Sequence, residues 1–359
     1  MRNTTAGVSA PRGAHDLDAA WLTAALAEVS GGATVTAVSA RRIGNGMVAD
    51  SVRLEVTWDR PTVAPDTYVA KVPAAEATSR AGAAASQTYL VEASFYRDLA
   101  DTLEVHRPQC YLALHEPETN DYVVLLGDLS PATAGDQIAG CAVADALQVI
   151  PELAALHGPR WGDPALQELE WLRPSEDGGA GLVELSRVLF PGFMERYADR
   201  LVPGVGPLLE RLMDRLGEYM SFRPDVPQTV VHGDFRLDNL LFGGERVAVL
   251  DWQTVKLGTA MSDVAYFIGS ALQPDERRDH EEQLVRDYHE RLQAYGVDLP
   301  WDRCWAGYRR HSYDGLLMAT FASMMVGRTD RGDDMFMAMA NRHGQQILDL
   351  DGESLLGGW

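Results

Sequence analysis

Lysine is nearly absent from this chain. Of 31 basic residues only Lys71 and Lys256 are lysine, the rest being arginine. Cysteine is scarce as well: Cys110, Cys141 and Cys304 are far apart and odd in number, which excludes a disulfide framework and offers no zinc-ligand spacing. Positive charge is outweighed, since 52 acidic residues leave a net charge of −21. That balance does not suit a nucleic-acid surface, which is built from clustered Lys and Arg. No apolar run approaches the ~18 residues of a membrane span, and Met1–Ala20 lacks the apolar core of a signal peptide. A reducing, cytoplasmic setting with neither membrane nor nucleic-acid partner is the expectation. Solubility is the simplest use of the acidic surface, and a cationic substrate is left open.

What is present is ordinary globular material, 46% apolar and 23% charged, in a chain of 359 residues. That length exceeds one hydrophobic core and predicts two lobes. Leu17, Trp21, Leu22, Ala25, Leu26 and Val29 form a helical apolar stripe, which Asp16 is expected to cap. Segments 34–43, 51–58 and 67–72 read as a β-meander turning at Gly44-Asn45-Gly46. A helix from about Ala83 to Ala100 follows, then strands 111–114 and 122–126. Beyond Gly127-Asp128-Leu129, helical periodicity dominates, with segments near 142–157, 182–201, 205–220, 262–271, 281–295, 301–325 and 333–350. Gly178-Gly179-Ala180-Gly181 is the clearest flexible connector. The fold class expected is α+β: a small antiparallel-sheet lobe with one main helix over residues 1–127, and a larger, mostly helical lobe over 128–359.

The densest chemistry lies at His232-Gly233-Asp234-Phe235-Arg236-Leu237-Asp238-Asn239, followed by Asp251-Trp252-Gln253. Moving a phosphoryl group from a nucleotide requires a carboxylate beside the attacking hydroxyl and oxygen ligands that hold Mg²⁺ on the phosphates. Asp234 and Asn239, with four residues between them, have the spacing of a kinase catalytic loop. Leu240–Phe242 and Val247–Leu250, separated by Gly243-Gly244, predict a β-hairpin whose open end brings Asn239 and Asp251 side by side. Two hard oxygen ligands suit Mg²⁺. Where arginine serves nearly everywhere, Lys71 within the apolar run Tyr68–Val72 marks a position needing a compact ammonium.

With these residues in view, the chain resembles the aminoglycoside phosphotransferase and choline kinase-like group, and within it the ecdysteroid kinase-like branch. The resemblance runs from about Asp16 to His343. It is carried by His232-Gly233-Asp234 with Asn239, by Asp251-Trp252-Gln253, by Gly258 with Asp263-Val264-Ala265-Tyr266, and by Lys71 with Glu92; Gly44-Asn45-Gly46-Met47 and Gly135-Asp136-Gln137 also fit. The resemblance implies a protein kinase-like fold whose first lobe clamps ATP and whose helical lobe holds a small-molecule alcohol. Lys71 would contact the α- and β-phosphates and Glu92 would orient it. Gly44 and Gly46, with the Ser51 hydroxyl, would approach the phosphates, while Leu126, Asp128 and Leu129 would meet the adenine at the link between lobes. Gly127 stands where relatives often carry an acidic residue. Asp234 would be the base, and Asn239 and Asp251 the Mg²⁺ ligands.

Simpler readings accompany several residues. His232 is expected to pack within its loop, Arg236 to be a surface charge ahead of a phosphate contact, Lys256 to be solvated, Asp238 to be a polar loop residue, and Asp263 to cap a helix or brace the loop. The acceptor pocket is expected from the helical lobe, where Trp301, Trp305, Tyr308 and Tyr313 lie near the start of one late helix, while methionines 318, 324, 325, 335, 337 and 339 suit helical-core packing better than a pocket lining. Only eleven residues separate Asp251 from Asp263, too few for the activation segment of a protein-directed kinase. Two rival classes are a nucleotide-binding pseudokinase and an acyl-CoA-linked metabolic protein, the latter disfavoured because no second catalytic domain is expected within this length.

Overall fold

The computed structural model describes residues 7–44, 48–173 and 179–357. Two compact units emerge, neither continuous in sequence. The first comprises Met1–Thr102, Arg107–Ala132 and Leu250–Val255; the second comprises Leu103–His106, Thr133–Val249 and Lys256–Trp359.

The first unit is built on an antiparallel sheet. Strands β1 (Val35–Ile43), β2 (Ala49–Trp58), β3 (Thr67–Pro73), β4 (Cys110–Glu116) and β5 (Asp121–Gly127) lie in the order β1-β2-β3-β5-β4. Alternation along β3 sends Tyr68, Ala70 and Val72 to one face, where they pack with Leu22, Leu26, Val35, Leu54 and Leu125. Lys71 consequently belongs to the other face. Helix α1 (Ala19–Ala25) covers the apolar side, and its N-cap is Asp18, whose carboxylate accepts the Trp21 N–H at 2.7 Å. Asp16, the expected cap, instead ends a short 3-10 turn over Ala14–Asp16.

The single helix expected over 83–100 is in fact two, α2 (Ala77–Ala85) and α3 (Thr88–Ser94), the latter running on as a π-helical turn over Phe95–Leu99. Gln87 between them has φ 55°, a left-handed conformation that cannot continue a right-handed helix. The break frees α3 to pack by itself. Tyr89 stacks on Tyr122 of β5 with ring centroids 4.0 Å apart, and Phe95 stacks on Trp252 at 4.1 Å.

The second unit is mainly helical: α4 (Val143–His157), α5 (Ala180–Tyr197), α6 (Val205–Ser221), α7 (Met261–Ala271), α8 (Pro274–Gln293), α9 (Trp301–Met325) and α10 (Asp330–Asp349). Its core joins Phe193, Leu208, Leu212, Leu316, Phe336 and Met339. Met335, Met337 and Met339 are buried there, so core packing explains them, whereas Met318 and Met325 are exposed. Trp301, Trp305 and Tyr308 stack in succession on one another, and Tyr313 lies in the core. Small strands complete the unit. Strand β6 (Thr133–Ala134) pairs with β8 (Leu240–Phe242), which pairs with β9 (Ala248–Val249), while β7 (Thr229–Val231) pairs with β10 (Lys256–Gly258). The expected hairpin is therefore present, with Leu240 opposite Val249 and Gly243 at φ 98° in the turn. Among the described residues no helix is long and apolar enough to cross a membrane.

Candidate functional site

Within the first unit the Lys71 ammonium lies 2.6 Å from Glu92 Oε1 and 2.6 Å from Asp251 Oδ1. Three segments distant in sequence supply this cluster: Lys71 from the central strand β3, Glu92 from α3, and Asp251 from Leu250–Val255. Glu92 is 1% exposed, so its carboxylate depends on Lys71 for compensation. Burial alone would lower the Lys71 pKa, but Asp251 and Glu92 outweigh it and hold the ammonium above its usual range. Burial pushes Glu92 up, with Asp251 adding and Lys71 opposing. Asp251 occupies the left-handed region at φ 67°, and its Oδ2 accepts from Gln253 Nε2 at 3.3 Å. Trp252, fully buried on Phe95, anchors the segment that presents it.

Of the other first-unit candidates, one lies beside this cluster. Ser51 is directly across the β2–β3 ladder from Lys71. Gly44 is exposed at φ 69°, a turn conformation for which glycine is favoured. Gly46, with Asn45 and Met47, lies outside the described residues, as does Gly178. Leu126 is buried in β5, and Leu129 is half-buried beyond it. The Asp128 side chain is occupied, paired with Arg53 at 2.9 Å and accepting from the Ser130 N–H and hydroxyl. Tyr89, which no sequence motif marked, donates its hydroxyl to the Val48 carbonyl at 2.7 Å and accepts the Ala74 N–H at 3.1 Å. It thereby fastens the chain after the glycine turn and the chain after Lys71 to the helix that carries Glu92.

In the second unit Asp234 and Asn239 converge. The Asn239 amide N–H₂ donates to the Asp234 carbonyl at 2.9 Å and to its Oδ2 at 3.0 Å. Arg236 Nε lies 3.1 and 3.0 Å from the two carboxylate oxygens, and the Tyr266 hydroxyl donates to Oδ1 at 2.9 Å. Arg236 is thus no surface charge: its side chain is 15% exposed and its other arm meets Asp238 at 2.7 Å. The surrounding carboxylates hold its pKa above the usual range although burial opposes them. Asp238 is more than a polar loop residue, since it also accepts the Gln137 N–H at 3.0 Å.

This loop is braced from below. Asp263 is the third residue of α7, not its cap; its carboxylate accepts the N–H groups of His232 at 2.6 Å and Gly233 at 2.9 Å, and meets His157 Nε2 at 3.2 Å. Burial works against ionising Asp263, yet these donors hold its pKa below the usual carboxylate range. His232 is fully buried, and its Nδ1 accepts the Asp234 N–H at 3.2 Å. Gln137 accepts the Leu237 N–H and donates to Ser270, and Arg342 donates to the carbonyls of Gln137, Ile138 and Ser270. In the sequence Tyr266 and Gln137 are motif letters and Arg236 is a charge, because nothing local to them indicates which distant group they will meet.

A five-stranded antiparallel sheet whose lysine pairs with a glutamate of the adjoining helix, with a helical unit bearing a His-Gly-Asp loop, is a protein kinase-like fold. Solved structures share it. A choline kinase from Cryptosporidium parvum aligns over 88% of this chain and 89% of its own, with TM-score 0.54 and 9% identity. A microcompartment-associated aminopropanol kinase aligns over 93% and 99%, with TM-score 0.54 and 16% identity. At such identities the likeness is one of fold. In sequence, residues 191–299 match the model of the Ecdysteroid kinase-like family. A 63-residue stretch is 46% identical to acyl-CoA dehydrogenase family member 10 of Mus musculus, covering 17% of this chain and only 6% of that protein.

Proposed function

We propose that this protein is an ATP-dependent O-phosphotransferase that moves the γ-phosphoryl group to a hydroxyl of a small molecule. The observation that carries the proposal is the Lys71 ammonium held between Glu92 and an aspartate 180 residues further along the chain. An ammonium pinned by two carboxylates is costly to assemble, and with a divalent cation offsetting the second carboxylate it suits a polyphosphate ligand. Asp234 accepts the hydroxyl proton as the phosphoryl group moves in line. An ionised aspartate is adequate, because the transition state is loose and positioning supplies most of the rate.

Asn239 and Asp251 would hold Mg²⁺, which when bound neutralises charge on the phosphates. The donor set suits that ion. The Asn239 amide nitrogen is spent on Asp234, which leaves its oxygen as the coordinating atom. Among the described residues no group of three or more His, Cys, Asp or Glu forms a self-sufficient metal cage. Mg²⁺ fits such a site because it takes one or two protein carboxylates and completes its shell with phosphate and water.

Asp234→Asn is expected to keep MgATP binding, followed by calorimetry, while lowering phosphate transfer ~10²–10⁴-fold; transfer at the wild-type rate would refute the assignment. The Arg236–Asp234 ion pair gives some weight to a second reading, a nucleotide-binding module without turnover. MgATP hydrolysis that disappears in Asp234→Asn separates enzyme from binder.

A further inference from the structure

Asp234 has more partners than proton acceptance requires, and the one from α7 has the fewest alternative uses. Tyr266 is 3% exposed and lies one helical turn after Asp263, on the same face of α7. Asp263 holds the backbone of the His232-Gly233 step, while the Tyr266 hydroxyl reaches the Asp234 side chain at 2.9 Å. One helix face therefore grips both the main chain and the side chain of the loop.

Tyr266 is itself fixed from behind. Its ring packs at 5.5 Å on the imidazole of His343, which is fully buried in α10. His343 fits a notch that only glycine permits: a Cβ on Gly315 would come within 2.0 Å of His343 Nε2, and one on Gly269 within 2.6 Å of its Nδ1. Gln346, bonded to His343 Nδ1 at 3.1 Å, also donates to the Ala265 carbonyl of α7 and the Tyr308 hydroxyl. Three helices thus hold this ring against rotation. Burial keeps the phenol well above its ordinary titration range, so the proton stays on Tyr266 and the carboxylate is the acceptor.

Resting on the phosphotransferase reading above, we infer that Tyr266 is a positioning residue for the base: its hydroxyl fixes the rotation of the Asp234 carboxylate so that one oxygen faces the incoming hydroxyl. Without that hydroxyl Oδ1 keeps only the 3.1 Å contact from Arg236 Nε, a donor it shares with Oδ2, whereas Oδ2 also keeps Asn239. Misplacement of the carboxylate costs rate and leaves nucleotide affinity untouched.

The test uses the full chain with MgATP and water as acceptor. Tyr266→Phe keeps the ring on His343 and removes only the O–H. It is expected to lower kcat about 10- to 100-fold, with the KM for MgATP within about twofold of wild type. In an Asp234→Asn background the same change is expected to have no further effect. An unchanged kcat, or an equal loss in both backgrounds, overturns the positioning role. A measurement on the unaltered protein stands beside it: in crystals grown with a non-hydrolysable ATP analogue and Mg²⁺, the Tyr266 hydroxyl is expected within hydrogen-bond distance of Asp234, and its separation from that carboxylate overturns the inference. Failure of the underlying reading looks different: wild type turns over no MgATP, or Asp234→Asn turns it over undiminished, and either result removes the inference with it.

Discussion

At the scale of single residues, Lys71 has the most at stake. Replacing it by Met leaves Glu92, 1% exposed, without its counter-charge. Removing one partner of a buried pair costs ~3–5 kcal/mol. Lys71 opposes the upward push of burial on the Glu92 pKa, so its removal lets that pKa rise further and makes ionising Glu92 in the folded mutant costlier as pH increases. The Lys71→Met penalty should accordingly be larger at pH 8 than at pH 5 in urea titrations, and MgATP binding should be lost at both. His343 has the opposite sign. Burial lowers its pKa from 6.5 to about 4, so the folded protein keeps it neutral while the unfolded chain takes up a proton. Its contribution is complete above pH 6.5 and is lost as pH falls toward 4, worth at most about 3 kcal/mol. Urea midpoints should fall across that range, and His343→Leu should flatten the dependence. Spacing and residue type marked Asp234, Asn239, Asp251 and Lys71 as candidates, and the family resemblance added Glu92. The partners of Tyr266 and Arg236 were not legible, because a hydroxyl or guanidinium says nothing about its acceptor until folding selects one.

At the scale of elements, the glycines separate packing from propensity. Gly315 in α9 is where His343 of α10 enters, and a Cβ there would lie 2.0 Å from the imidazole. Gly315→Ala should cost at least ~1–3 kcal/mol through overpacking, seen as a lower melting temperature. Gly82 in α2 has no atom within 4 Å of its Cβ position. Gly82→Ala should be neutral or stabilise by up to ~1 kcal/mol, through helix propensity alone. The hairpin β8–β9 and the meander β1–β3 formed where alternation and glycine turns indicated. The break between α2 and α3 was invisible, since Gln87 is an unremarkable helix residue and its left-handed backbone is a feature of the folded chain, next to the packing of α3 on β5. Likewise Asp18 took the cap expected of Asp16, which is held in the preceding 3-10 turn.

At the scale of the whole molecule, a net charge of −21 opposes the approach of a bare nucleotide triphosphate. Nucleotide binding should therefore depend on Mg²⁺. MgATP at a hundredfold excess over its Kd should stabilise the fold by about 2.7 kcal/mol, raising the melting temperature by several degrees. Excess EDTA should abolish the rise. Equal stabilisation by ATP with and without Mg²⁺ would count against Asn239 and Asp251 as metal ligands.

Sequence alone determined the kinds of element, their order, the hairpin after Asn239 and the residue types gathered at the candidate site. Periodicity, turn chemistry and short spacings are encoded within a few residues of one another, so they can be read without knowing the fold. Tertiary structure alone decided the pairings. Asp251 reaches Lys71 across 180 residues, Tyr266 reaches Asp234, and Asp263 turns from its helix end to the His232-Gly233 backbone. The physical reason is that a buried charge or hydroxyl must find a partner, and which partner it finds depends on elements that become neighbours only when the core has packed.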